Sequence, residues 1–472
     1  MYLKSLEGGK MMGKPVLNRW WVLVGALMIQ VSLGAVYIYS VFKPALKERF
    51  PHWSDTDLAL PSQLVLACFA FSMPFFGRLQ DRFGPRLVAM IGGVLLGLGL
   101  ISASFASSLT HFVLSYAVIG GIGIGAAYVC PIATCVKWFP DMRGVITGLA
   151  VAGFGAGALV FTPVARHLIA TQGVMPTFLY LGVIFLTTVL LGAQVMVNPP
   201  PGYTPGKGAV KSTASPSDVP SLTLQQAVRT WKFWLLWFTY FTGCTAGLMI
   251  IMNSMNIWQS FAVGAVEQTP IAHTTFAAIL AQGATAVIVV SILNAVGRVA
   301  WGKVSDLLGR RTALCLMFLF AGVVMLSLHF LRSYPQFLVG VACIGFCFGG
   351  FLAVYPAVTA DLFGTRHIGA IYGAMFSAYG AGGLLGPWLA PRLMQVVERV
   401  PYEVLERGNN IAVRTFEVGS YTPAFAVSGI LCLISAALML GLRVTAPAPG
   451  AGGEETAPAL VQTGDQKVPT AR

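Results

Sequence analysis

Arg298 is the residue of this chain whose chemistry most needs explaining. It stands in SILNAVGRVAWGKVSDLLGRR, residues 291–311, inside an apolar run that begins near Thr274 and five residues before Lys303. Asn294 lies four residues earlier, so a helix puts both on one face and brings the amide within reach of the guanidinium. Gly297, Val299 and Ala300 bring no counter-acid. Two readings stand at this point. The long side chain spans the roughly 7–8 Å of helix to Lys303 and snorkels to a polar surface. Alternatively it stays buried, and an unpaired cation there requires an anion from elsewhere. A carboxylate meets that need, because the planar fork of arginine takes it with two parallel hydrogen bonds.

Aromatic residues offer walls for such a site. Tyr37 and Tyr39 lie in GAVYIYSVF, Tyr128 in a later apolar run, Phe351 and Tyr355 four residues apart, and Phe376 and Tyr379 three apart. Spacings of three and four present both rings to one side of a helix. A tyrosine hydroxyl bonds a carboxylate while its ring encloses the apolar remainder. The chain holds 14 Tyr and 30 Phe, so the competing reading for any single ring is packing or lipid contact. No Asp or Glu lies deep in an apolar run, which excludes a membrane-embedded carboxylate relay and makes a small anion the expected ligand. The eight cysteines fall in or beside apolar runs without accompanying histidines or acids, so they read as packing, and no metal or cofactor is expected.

The elements that must position these groups are membrane helices. Charged residues make up 10% of the chain, against roughly a quarter in a soluble domain, and mean hydropathy is +0.74. Windows of about 20 residues give twelve spans, at 20–42, 58–77, 87–107, 111–136, 145–168, 175–197, 233–261, 274–302, 313–331, 336–359, 369–390 and 422–442. They are too long and too uniformly apolar for a membrane barrel, so the expected class is an all-α membrane protein. No span reads as a cleaved leader, since Met1 to Arg19 carries four basic residues and runs into a full-length helix. With both termini cytoplasmic, inner segments hold 20 Lys or Arg and outer loops 9, with Arg298 the remaining one, whereas acids divide 9 to 8. That asymmetry is the positive-inside pattern, so the net +13 reports topology and not nucleic-acid binding. The expected location is a bacterial cytoplasmic (inner) membrane.

The chain also repeats itself at an offset of 225 residues. Gly77, Asp81, Gly84 and Arg86 match Gly302, Asp306, Gly309 and Arg311; Gly120, Gly125 and Pro131 match Gly345, Gly350 and Pro356; Gly144 and Gly148 match Gly369 and Gly373. One ungapped offset implies two six-helix bundles in the same orientation, 20–197 and 233–442. Around them the sequence reads as a cytoplasmic segment 1–19, a proline-rich cytoplasmic connector 198–232 and a disordered tail 443–472. The outer connection 391–420 either covers the outer mouth or is a solvated loop. GRLQDRFGPR (77–86) and GKVSDLLGRR (302–311) are the most specific repeat. Their glycines permit turns and close contact, their aspartates suit helix N-termini, and Arg82, Arg86, Arg310 and Arg311 suit an anionic surface. Gly77, Asp81, Gly302 and Asp306, with those arginines, are the candidates for conformational coupling.

From these turns, and from NRWWVLVGALMIQVSLGAVYIYSVFKPAL, KWFPDMRGVITGLAVAGFGAGA and TADLFGTRHIGAIYGAMFSAYGAGGLLGP, the chain resembles the major facilitator superfamily. Within it, residues 18–442 look like the oxalate:formate antiporter family, with a more distant likeness to monocarboxylate transporters. The resemblance implies alternating access by two bundles around a central site for small carboxylates. It puts Arg298 at the family's substrate arginine, Tyr37, Tyr128 and Tyr355 at lining positions, and Phe351 and Phe376 where the oxalate carrier has tryptophans. Two positions depart from the pattern. Tyr379 stands where the oxalate carrier has a lysine, and Asn294 where monocarboxylate relatives often have an aspartate. One buried cation neutralises one carboxylate, so lactate, pyruvate or formate is favoured over oxalate. Proton symport or anion exchange would keep the cycle electroneutral, and a monomer in the lipid bilayer suffices. The rival readings are an oxalate:formate exchanger with a second cation such as Lys43, an exporter of a larger weakly acidic or apolar compound, and a receptor or scaffold. An enzyme is the weakest, for the spans hold no nucleophile, base and acid arrangement.

Overall fold

The computed structural model describes residues 17–200, 203, 221–405 and 411–442. Most of the expected N-terminal segment, much of the connector and all of the tail lie outside the described residues. Twelve helices long and apolar enough to cross a membrane follow one another: α1 (Arg19–Arg49), α2 (Thr56–Phe83), α3 (Pro85–Ala103), α4 (Leu109–Trp138), α5 (Arg143–Gln172), α6 (Val174–Ala193), α7 (Trp231–Val263), α8 (His273–Leu308), α9 (Arg310–Phe330), α10 (Tyr334–Phe363), α11 (Ile368–Leu393) and α12 (Thr422–Leu440). In hydrocarbon no water satisfies a peptide group, so each apolar run closes its own hydrogen bonds.

Several helices overrun the apolar runs that mark them. α8 covers 36 residues against the expected 274–302, because a helix continues through polar residues until something ends it. Here glycine does so. Gly84 (φ 91°) alone separates α2 from α3, and Gly309 (φ 85°) alone separates α8 from α9. Positive φ crowds any residue with a Cβ, so these positions reverse the chain in a single residue.

The halves, α1–α6 and α7–α12, meet along two seams, α2 with α11 and α5 with α8. Gly77 lies against Gly369 in the first seam and Gly302 against Gly144 in the second, so two positions 225 apart meet twice with the halves exchanged. A Cβ on Gly369 would stand 2.7 Å from the Gly77 carbonyl oxygen, and one on Gly302 2.8 Å from the Gly144 carbonyl carbon. Backbones this close need small residues. Beside each contact an aspartate reaches across. Asp81 accepts from the amides of Gly369 (3.1 Å) and Ala370 (2.8 Å), and Asp306 from those of Gly144 and Val145 (both 2.9 Å). Each carboxylate thereby satisfies the open N–H groups at the start of a helix in the other half.

The seams differ in what surrounds them. On the α5–α8 side, Arg310 bonds Asp306 (2.6 Å) and Asp361 (2.8 Å), and Arg143 bonds Asp361 (2.5 Å). The residues 225 away from Arg310, Asp361 and Arg143 are Pro85, Val136 and Ile368, so the α2–α11 side cannot repeat the network. Among the described residues, Arg82, Arg86 and Arg311 make no hydrogen bond to the opposite half. Arg82 lies over the ring of its neighbour Phe83, while Arg86 donates to the Gln194 carbonyl and Arg311 to the Leu440 carbonyl, each fastening two helices of one bundle.

Among the described residues, hydrogen bonds between the halves run from this charged-turn end to the level of Tyr37 and Tyr379 and no further. The opposite end carries an antiparallel hairpin, β1 (Gln395–Leu405) and β2 (Ile411–Ser420), where the sequence reads as a loop. Among the described residues no hydrogen bond joins it to the first half. Ile271 pairs with β1 through Pro401 (3.0 Å) and Glu403 (2.9 Å), Phe276 stacks on Tyr402 at 4.0 Å, and Gly419 donates to Ser260 (3.3 Å). The hairpin therefore fastens to the ends of α7 and α8. The membrane part remains entirely helical.

Candidate anion-binding site

Arg298 occupies the stretch of α8 that crosses α5, where a Cβ on Gly148 would approach the Arg298 carbonyl carbon to 2.9 Å. It does not snorkel. The residue is 2% exposed, and its side chain leaves its own half for the other. Nε donates to Asn294 Oδ1 at 2.9 Å, which the four-residue spacing allows, and Nη1 donates to the Val151 carbonyl. Beneath the guanidinium lies Gly155, where a Cβ would stand 3.2 Å from Cζ and 3.2 Å from Nη1. A bare stretch of α5 backbone thus makes room for the planar group. Among the described residues no carboxylate pairs with Arg298, and its Nη2 makes no hydrogen bond. The result is a buried cation, oriented from both halves, with donors to spare.

Aromatic rings from both halves cluster beside this stretch of α5. Tyr37 of α1 and Tyr379 of α11 share a hydrogen bond of 2.9 Å between their hydroxyls. Tyr128 of α4 meets Phe376 of α11 at 5.2 Å, and Phe376 stacks on Tyr379 at 4.6 Å. Phe154, next to Gly155 on α5, contacts both Tyr37 (5.3 Å) and Tyr128 (5.0 Å), so the rings gather at the stretch of α5 that faces the guanidinium. Arg298, Asn294, Tyr37, Tyr128, Phe376 and Tyr379 are therefore brought together.

Phe351 and Tyr355 are not brought to the same place. Phe351 stacks on Phe318 of α9 at 4.4 Å and packs over Gly243 of α7, within the second half. Tyr355 donates to Thr239 Oγ1 at 2.7 Å and stacks on Tyr240 at 4.1 Å, one layer behind the cluster. The spacing of four fixes a shared helix face, but α10 turns that face toward α7 and α9.

Four residues of the cluster escape the sequence reading. Phe69 of α2 contacts Tyr128 (5.0 Å) and Phe376 (5.2 Å), and Phe154 of α5 contacts Tyr37 (5.3 Å) and Tyr128 (5.0 Å). Neither has an aromatic neighbour three or four residues away that would single it out. Tyr372 continues the stripe of Phe376 and Tyr379 at i−4 and i−7, a signal that was present in α11. Tyr240 is hidden in the aromatic-rich run WKFWLLWFTYF.

Comparison with known proteins decides the family. The model of the Major Facilitator Superfamily matches residues 22–281 and 252–468. The chain belongs to this superfamily. It is 31% identical over 368 residues to an uncharacterized MFS-type transporter of Escherichia coli (strain K12), covering 78% of this chain and 86% of the relative. The oxalate:formate antiporter of Oxalobacter formigenes is 27% identical over 373 residues, with 78% and 83% covered. Apicoplast pyruvate carrier 1 of Toxoplasma gondii is 29% identical over 414 residues, with 76% and 73% covered. The fold is also that of a solved Major Facilitator Superfamily transporter, FucP, at a TM-score of 0.58 and 15% identity, over 89% of this chain and 98% of that one. The protein is a multi-pass membrane transporter of this superfamily and not an enzyme.

Proposed function

We propose that this transporter carries a small monocarboxylate of the lactate, pyruvate or formate kind by alternating access of its two bundles. The observation that carries the reading is Arg298, a buried guanidinium at the seam between the halves with no acidic partner among the described residues. A carboxylate docked on Nη2 completes the ion pair, and the Tyr37, Tyr128 and Tyr379 rings surround what is attached to it. The likeness to an oxalate:formate antiporter and to a pyruvate carrier supports a carboxylate cargo. Positive-inside charge supports a bacterial inner-membrane protein with the charged turns in the cytoplasm. Closure at that end then corresponds to a state shut toward the cytoplasm. Moving one bare anion inward against the potential costs about 2.3 kcal/mol per 100 mV, which favours proton symport or anion exchange.

Oxalate exchange is the second reading, favoured by the likeness to the antiporter. It needs a second cation, and Lys43 is poorly placed to serve. Its Nζ lies 6.0 Å from the Tyr39 ring, which packs on Tyr116 inside the first half. In proteoliposomes, labelled lactate, pyruvate, formate and oxalate are compared for uptake and counterflow, with and without a pH gradient. Preference for the monocarboxylates is expected, and preference for oxalate would refute the single-cation argument. Tyr379→Lys restores a cation beside Tyr37, so the oxalate-to-lactate uptake ratio is expected to rise about tenfold, one recovered pair outweighing the ~1.4 kcal/mol this represents.

Gly155 gives an independent handle. Gly155→Val drives a branched side chain into the guanidinium plane, and carboxylate uptake is expected to fall about tenfold or more. Unchanged uptake by a variant that elutes as the same monodisperse species would show that the guanidinium need not lie there.

A further inference from the structure

We propose that Arg166, near the end of α5 away from the charged turns, is a docking cation that receives the substrate carboxylate in the cleft between the halves before it reaches Arg298. The proposal rests on the carboxylate reading of Arg298 and adds an entry step to it.

The register of α5 sets the direction of Arg166. Gly144 and Gly148 face α8, the second of them against the Arg298 backbone, and Gly155 faces the Arg298 guanidinium. α5 is one continuous helix from Arg143 to Gln172. Arg166 follows Gly148 by eighteen residues, five whole turns, and Gly155 by eleven, about three turns. It therefore stands on the face that meets α8, roughly 16 Å along the helix from Gly155. Gly144 and Gly148 are buried on that face, whereas Arg166 is exposed. With Ile169 and Ala170 of α5 and Ser40, Val41 and Pro44 of α1 it lines an open cleft of about 380 Å³.

The α1 wall agrees. Ser40, Val41 and Pro44 follow Tyr37 by three, four and seven residues, so they continue the face whose tyrosine bonds Tyr379 of the other half. Tyr37 also contacts Phe154, one residue from Gly155, which puts the tyrosine pair at the level of the guanidinium and Arg166 beyond both. Among the described residues Arg166 makes no ion pair or hydrogen bond, and none of the residues lining the cleft is acidic.

A lone cation in a cleft concentrates anions there and speeds their arrival at the site behind it. Its fork suits a carboxylate as that of Arg298 does. Because Arg166 is exposed, its hold is weak and screened by salt, which suits entry and not final binding. The two guanidinium groups stand on the order of 16 Å apart along α5, too far to grip both ends of oxalate, so they act in succession.

The test has two arms. Ser40→Cys places a thiol in the cleft, and membrane-impermeant methanethiosulfonates carrying a sulfonate or a trimethylammonium group read the local charge without transport, above the labelling seen with Ser40 intact. The sulfonate-to-ammonium rate ratio is expected to fall about threefold or more when Arg166→Gln is added, and to recover with Arg166→Lys. In proteoliposome counterflow, half-saturating lactate is expected to rise about threefold to fivefold in Arg166→Gln at low salt, to return in Arg166→Lys, and to differ from wild type by less than about twofold near 1 M potassium chloride. An unchanged labelling ratio overturns the docking cation, including the case in which Arg166 only holds a lipid phosphate. A changed ratio with unmoved or salt-independent lactate half-saturation overturns it as well, since the charge then fills the cleft without receiving cargo. Failure of the carboxylate reading looks different: lactate transport would then be indifferent to Arg298→Gln, while the labelling ratio still responds to Arg166.

Discussion

Arg298→Ala is expected to lower carboxylate uptake in proteoliposomes by at least about a hundredfold. Removing one partner of a buried ion pair costs about 3–5 kcal/mol, and every 1.4 kcal/mol is a factor of ten in affinity. The loss falls on the loaded protein, since among the described residues no acid is left unpaired by the change. Arg298→Lys separates charge from geometry. The ammonium keeps the positive charge but lacks the planar fork that bonds Asn294 and Val151 together, so uptake about tenfold below wild type is expected. Equal loss in Lys and Ala variants would mean that geometry, not charge, is limiting; no loss in either would remove the anion site.

Asp306→Ala is expected to open the charged-turn end more than Asp81→Ala does. Each substitution uncaps two amides at the start of a helix in the other half, an interaction of up to about 2 kcal/mol when partly buried. Only Asp306 also pairs with Arg310, which in turn holds Asp361. The extra loss is on the order of 1–2 kcal/mol for a partly buried charged pair. Amide hydrogen exchange over 143–148 in the Asp306 variant should therefore rise about tenfold more than exchange over 368–373 in the Asp81 variant. Equal rises would contradict an asymmetric closure. Transport should fall in both variants, because a carrier that cannot hold one end shut cannot alternate.

The sequence makes the scaffold legible because the bilayer leaves few options. Apolar runs must be helices, the 225-residue offset places Gly77 and Asp81 in register with Gly302 and Asp306, and the seams use those residues twice. Arg298 and Asn294 are legible as a pair because both stand on one helix face with no acid nearby. What a single helix cannot reveal is which neighbour its face meets. Phe351 and Tyr355 share a face of α10, yet that face packs on α7 and α9, while Phe69 and Phe154 reach the site without an aromatic neighbour three or four residues away. Arg82, Arg86 and Arg311 look like the coupling residues in their motifs, and only the packing shows that they stay within one bundle. The hairpin is obscured by charges spread along both strands, which read as a solvated loop until Ile271 and Phe276 are seen to pair with it.

The most direct measurement is a calorimetric titration of lactate or pyruvate into the purified protein, beside the Arg298→Gln variant, which keeps a polar side chain and removes the charge. One saturable site per chain in the wild type, weakened by at least about a hundredfold in the variant, is the result expected of a guanidinium that clamps the carboxylate. Binding of equal strength to both proteins would contradict it.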